Sequence, residues 1–174
     1  SFVTLVMADG TTAVAVNDTL TLAELQGLKY KTLANASGAG SLTWSVQDNG
    51  GTANGGLDTL SETLAITVTA ENDAPVRTAG TPAAIDVDED SANTTAVSLG
   101  FETLDYGPGG GADESTQTLT YAVSSIPSFV AIFKADGTTA VAASEALTLA
   151  ELQGLTYKTV ADSWGTANLL WSVK

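Results

Sequence analysis

The sequence predicts an all-β protein built from tandem β-sandwich units, and three observations carry that prediction. Apolar residues alternate with Thr, Ser and Ala at a period of two in several segments. Turn signals rich in Gly, Asn and Asp separate those segments at short intervals. One long stretch is also written twice: Ser1 to Gln47 returns at Ser128 to Lys174 without a gap, with about 29 of 47 positions identical.

Taken along the chain, Asp9-Gly10 and its repeat Asp136-Gly137 favour hairpin turns. Thr21-Leu22-Ala23-Glu24, repeated at Thr148 to Glu151, predicts one helical turn per unit. Its Thr hydroxyl accepts from the Glu backbone N–H while the Glu carboxylate returns to the Thr N–H, and Gly27 and Gly154 stop the turn. Tyr30 and Tyr157 open the next strand, where a corner tyrosine would bond back to the backbone. Leu42 to Val46, Thr63 to Thr69 and Thr118 to Val123 alternate cleanly and read as strands with one apolar face. Gly107-Pro108-Gly109-Gly110-Gly111 is loop.

The repeat offset of roughly 127 residues sets the domain organisation. Residues 1–73 form the C-terminal part of one repeat whose front strands are missing. Residues 74–174 form the following repeat, without its last strands. The first lacks what Ala83 to Ser125 would provide, and the second lacks the counterpart of Asp48 to Ala70, so an open core is expected in each. A chain that starts and stops in mid-unit reads as an excerpt of a longer array. The alternative is a subunit whose Leu60 to Ala70 strand completes the second unit of another copy, giving a filament by strand complementation.

Composition narrows the function classes. The 174 residues contain no Cys and no His, which removes structural zinc sites, His-based triads and disulfides. Twenty Asp and Glu against six Lys and Arg give a net charge of -14, which repels nucleic acid and anionic lipid and favours hard cations. No apolar run approaches the roughly 20 residues that would span a bilayer, so membrane insertion is not expected. The Gly107–Gly111 run lacks the Lys and helix start of a phosphate loop. The acids lie in loops without the sugar-gripping aromatics of a glycosidase cleft. An enzyme is not expected.

Thr69-Ala70-Glu71-Asn72-Asp73-Ala74-Pro75-Val76-Arg77 joins the two units. Glu71-Asn72-Asp73-Ala74-Pro75 resembles the linker of cadherin repeats, and "ENDAPV" after "ITVT" resembles bacterial cadherin-like tandem repeats of giant secreted or surface proteins. Val87-Asp88-Glu89-Asp90 is similar to the family's early acidic motif. Asp113-Glu114 leading to Leu119-Thr120-Tyr121 is similar to the acidic loop before its "LxY" strand, and Asp48-Asn49-Gly50-Gly51 to its "DxG" motif. The order along the chain agrees and the coverage is nearly complete. The middle "DRE" motif has no matching pair of acids; Glu24 and Glu151 come nearest, and helix capping accounts for them.

The resemblance implies Ig-like or cadherin-like Greek-key sandwiches joined by calcium. Glu71, Asn72, Asp73, Asp113 and Glu114 would hold Ca2+ at this joint, with Glu89 and Asp48 serving the next and previous ones. Asp86, Asp88, Asp90 and Asp105 stand in reserve as ordinary loop or strand-end acids. The expected protein is an extracellular, surface-attached or secreted structural repeat of an adhesin, stalk or fibre, partnered by neighbouring repeats or other copies. The competing class is a surface module that binds glycan or protein. Its candidate is the loop residue Trp164, because Trp44 and Trp171 fall on the apolar side of a strand.

Overall fold

The computed structural model describes residues 1–174. Strands dominate, arranged in small antiparallel sheets with two five-residue helices. The chain divides into two compact units, one of Ser1–Asn72 with Gly111–Asp113, the other of Asp73–Gly110 with Glu114–Lys174.

The first unit contains β1 (Val3–Val6), α1 (Leu22–Gln26), β2 (Lys29–Thr32), β3 (Gly38–Gln47) and β4 (Thr59–Val68). β1 pairs with β2, and β3 with β4 over ten residue pairs from Gly38↔Val68 to Gln47↔Thr59. After β1 the chain turns at Asp9-Gly10, where Asp9 Oδ1 accepts from the N–H groups of Thr11 (2.7 Å) and Thr12 (2.9 Å). Gly10 takes φ +74, a backbone conformation that costs glycine nothing. The Thr12 hydroxyl and these two N–H groups hold the Asp9 carboxyl well below the usual range.

The second unit contains β5 (Val76–Ala79), β6 (Val97–Ser98), β7 (Asp105–Gly107), β8 (Tyr121–Ser125), β9 (Val130–Phe133), β10 (Ala146–Leu147), α2 (Leu149–Gln153), β11 (Thr156–Thr159) and β12 (Leu170–Val173). Its sheets run β10-β8-β12, β6-β11-β9 and β5-β7. A buried cluster draws Tyr121 and Val123 from the first sheet and Ile132 and Tyr157 from the second. Leu99, Phe101, Leu104, Leu152 and Leu155 close it from the connecting segments. Trp171 packs its ring on Phe101 at 4.9 Å and donates Nε1–H to the Tyr106 hydroxyl at 2.8 Å. The apolar rings thus face inward while the indole N–H keeps a partner.

The two copies of the repeated sequence fold alike. β1 and β9, β2 and β11, and α1 and α2 occupy equivalent positions, and Val3↔Thr32 in one register is Val130↔Thr159 in the other. Both helices carry the reciprocal Thr–Glu capping box. Gly27 and Gly154 cap them at φ −88 and −86, so the left-handed conformation is not what selects glycine. Close approach is: a Cβ would stand 3.1 Å from that of Ala8 in one copy and 3.1 Å from that of Ala135 in the other. In the second copy Lys134 adds ion pairs to Glu151 (2.9 Å) and Glu145 (3.1 Å), which raise the Lys134 pKa; with the Thr148 backbone N–H, Lys134 brings Glu151 down to about 2.

The surroundings of the copies differ sharply. Tyr157 is 4% exposed, whereas its counterpart Tyr30 is 66% exposed. Leu152 and Leu155 are buried, but Leu25 and Leu28 are only half-buried, and Val6 alone in the first unit reaches core burial. The second unit thus encloses a core although β12 is paired on one side only, by β8. In the second unit β8, the middle strand of its sheet, and the side chains of Phe101 and Leu104 enclose the interior, and the first unit has no counterpart of them.

Candidate functional site

Antiparallel pairing of β5 with β7 builds the site. The register Val76↔Gly107 makes residues just before Val76 run beside those just after Gly107. Asp73, Ala74 and Pro75 are thereby laid along the loop Pro108-Gly109-Gly110, and the next residues, Ala112–Glu114, make one 3-10 turn.

Glycine is required on this path. A Cβ on Gly109 (φ +91) would clash with the carbonyl oxygen of Ala74. A Cβ on Gly110 (φ +45) would stand 2.6 Å from Glu114 Oε2 and 2.7 Å from Asp73 Oδ2. Both carboxylates therefore lie close over the bare Gly110 backbone, in space that a side chain there would fill.

Glu114 is 1% exposed. Its Oε1 accepts a hydrogen bond from the Asp73 backbone N–H, while its Oε2 is buried with no hydrogen-bond partner. An unsatisfied buried acceptor costs about 1–3 kcal/mol, and more for a charged group. The adjacent Asp73 carboxylate raises that cost through like-charge repulsion. A cation bound by both carboxylates would relieve both penalties. The donor set of hard carboxylate oxygens suits calcium and not a soft metal.

The remaining sequence-predicted residues are distributed as follows. Glu71 and Asn72 precede Asp73 in the exposed, extended segment after β4, and Asp113 is the exposed residue before Glu114. Asp48 lies at the end of β3, where its Oδ1 accepts from Gly50 N–H at 2.8 Å. Glu89 sits in a turn whose neighbours are already engaged: the Asp88 carbonyl accepts from the Ser91 hydroxyl (2.7 Å), and Asp90 Oδ1 accepts from Asp162 N–H (3.2 Å). Asp105 accepts from Tyr106 N–H at 2.9 Å. Asp86 lies in the same exposed stretch as Glu89.

Asp73 and Glu114 are thus brought together in the second unit, and Asp48 and Glu89 stand in other loops. The structure gathers no three carboxylates into one cluster. Gly110 was missed by sequence reasoning, which treated the glycine run only as a loop. Its signal was a Gly-Gly-Gly run separated by one residue from an Asp-Glu pair.

Compared with protein-family models, curated proteins and solved structures, the chain has no significant match to any. No helix is long and apolar enough to cross a membrane.

Proposed function

We propose that the chain is a non-enzymatic structural repeat whose successive Greek-key sandwich units are braced by calcium, within an extracellular adhesin, stalk or fibre of the bacterial cadherin-like kind. The observation that carries this reading is the buried, unpartnered Oε2 of Glu114 beside the Asp73 carboxylate. Calcium takes six to eight oxygens at about 2.3–2.6 Å and tolerates irregular geometry. Asp73 and Glu114 would supply the first carboxylates. Glu71, Asn72 and Asp113, their immediate neighbours in the chain, would add further oxygens, with water completing the shell. Glu89 and Asp48 would serve the joints on either side.

The bound ion supplies positive charge that cancels carboxylate repulsion of roughly 1–4 kcal/mol per pair. The chain's own contribution is direction. Pro75 fixes its φ and biases Ala74 away from helix, so the crossing stays extended, and the β5–β7 pairing holds it against the glycine loop. Calorimetric titration of the full chain with calcium should give saturable heat that disappears when Asp73 and Asp113 are both changed to Ala. Absence of heat together with an unmoved melting temperature would discard the calcium reading.

Trp164 favours a second reading. At 83% exposed it offers a bare indole face in a loop where the first copy has Ser37, as a glycan- or protein-binding module would. Glycan-array binding by the full chain that is lost in Trp164→Ala is the expected result under that reading; equal signals from the two proteins eliminate it.

A further inference from the structure

The duplicated sequence shows what belongs on the open side of the first unit. In the second unit the repeated half is covered by Leu99, Phe101, Leu104, Tyr121 and Val123, all from the front half of the repeat. β6 pairs along the outer edge of β11 through Thr156↔Ser98 and Tyr157↔Val97. Leu99 N–H donates to the Leu155 carbonyl at 3.1 Å, and Thr159 N–H to the Ala92 carbonyl at 3.3 Å. β8 pairs with β12 through Trp171↔Val123 and Val173↔Tyr121.

In the first unit the same surfaces are bare. β2 pairs with β1 on one side and has no strand on the other. A groove of about 340 Å³ opens between the β1–β2 and β3–β4 sheets, lined by Leu5, Leu28, Tyr30, Leu42, Leu64 and Ile66. β4 pairs with β3 along its whole length, so it leaves the opposite edge of β3 for a different strand.

We propose that this groove and the two edges beside it form a docking surface for a further front-half segment of the same repeat, a polypeptide with the sequence of residues 74–127. It seats in the registers of the second unit, with the Val97 position opposite Tyr30 and the Val123 position opposite Trp44. The duplication supports the choice of occupant: residues 128–174, the other copy of the repeated sequence, take these same partners in the second unit. An intact second copy is a poorer donor, because a front half taken from its own unit opens one core for each core it closes. The docking is independent of the calcium reading.

The test extends the full chain at its N-terminus by residues 74–127, so that Pro127 runs into Ser1 as it does into Ser128. Hydrogen exchange is followed by NMR in the presence of a calcium chelator. The amides of Leu25, Leu28 and Tyr30 should exchange at least about 100-fold more slowly than in the unextended chain, approaching Leu152, Leu155 and Tyr157 of the same molecule. An extension carrying Phe101→Asp and Leu104→Asp should leave them fast. Two outcomes overturn the proposal. One is unchanged exchange in the extended chain. The other is slow exchange already present in the unextended chain with a concentration-dependent dimer mass, which would assign the groove to a second copy.

Discussion

Leu152→Ala should destabilise the second unit by about 2–5 kcal/mol, while the same substitution at the same place in the repeat, Leu25→Ala, should cost the first unit less than about 1 kcal/mol. Both leucines lie on the same five-residue helix sequence with the same capping box. Helix propensity, capping and local backbone are therefore matched, and the difference isolates what packs over the side chain. Leu152 has no exposed surface and lies within the buried cluster, so truncation leaves a cavity among close-packed neighbours. Leu25 is half-buried in a unit that has no counterpart of β8, Phe101 or Leu104 over it, so water already reaches the site and no sealed cavity forms. Urea unfolding read from NMR signals assigned to each unit measures both. Equal losses in the two units would mean that the first unit's core is closed in solution.

This asymmetry marks the limit of what the sequence discloses. The capping boxes and the Asp-Gly turns were legible because their partners lie within three residues, and the repeat itself guaranteed that β1 and β9, or β2 and β11, would form alike. Burial was not legible from that identity. Tyr30 and Tyr157 have matching local sequence, yet one is exposed and one is core, because β6 and the Leu99–Leu104 segment are supplied to only one of them. Local pattern likewise does not tell an edge strand such as β12 from a central one such as β8, so an open core is expected of both units alike. At the site, Asp73 and Glu114 were named from the linker and the loop, 41 residues apart. What joins them is the β5–β7 register and the bare backbone of Gly110, and neither follows from local pattern.

Glu114→Gln should change sign with calcium. In chelator the variant is expected to be more stable than the parent, by about 1–3 kcal/mol, because an amide carries no charge to bury and its N–H can donate toward Asp73 Oδ2, where the parent presents an orphaned oxygen. The Asp73 N–H keeps an acceptor in either protein, since the amide oxygen takes the place of Oε1. In calcium at about 100 times the dissociation constant the parent gains about 2.7 kcal/mol from binding, and the variant, with a ligand carboxylate removed, gains little. The order of stability should then invert. Thermal melts of both proteins in chelator and in excess calcium read the effect directly. A cation held by these carboxylates requires the difference to move toward the parent by about 2.7 kcal/mol in calcium, whereas a carboxylate buried for packing alone gives the same difference in both buffers. Ionic strength is matched between them so that general screening of the -14 net charge does not imitate binding.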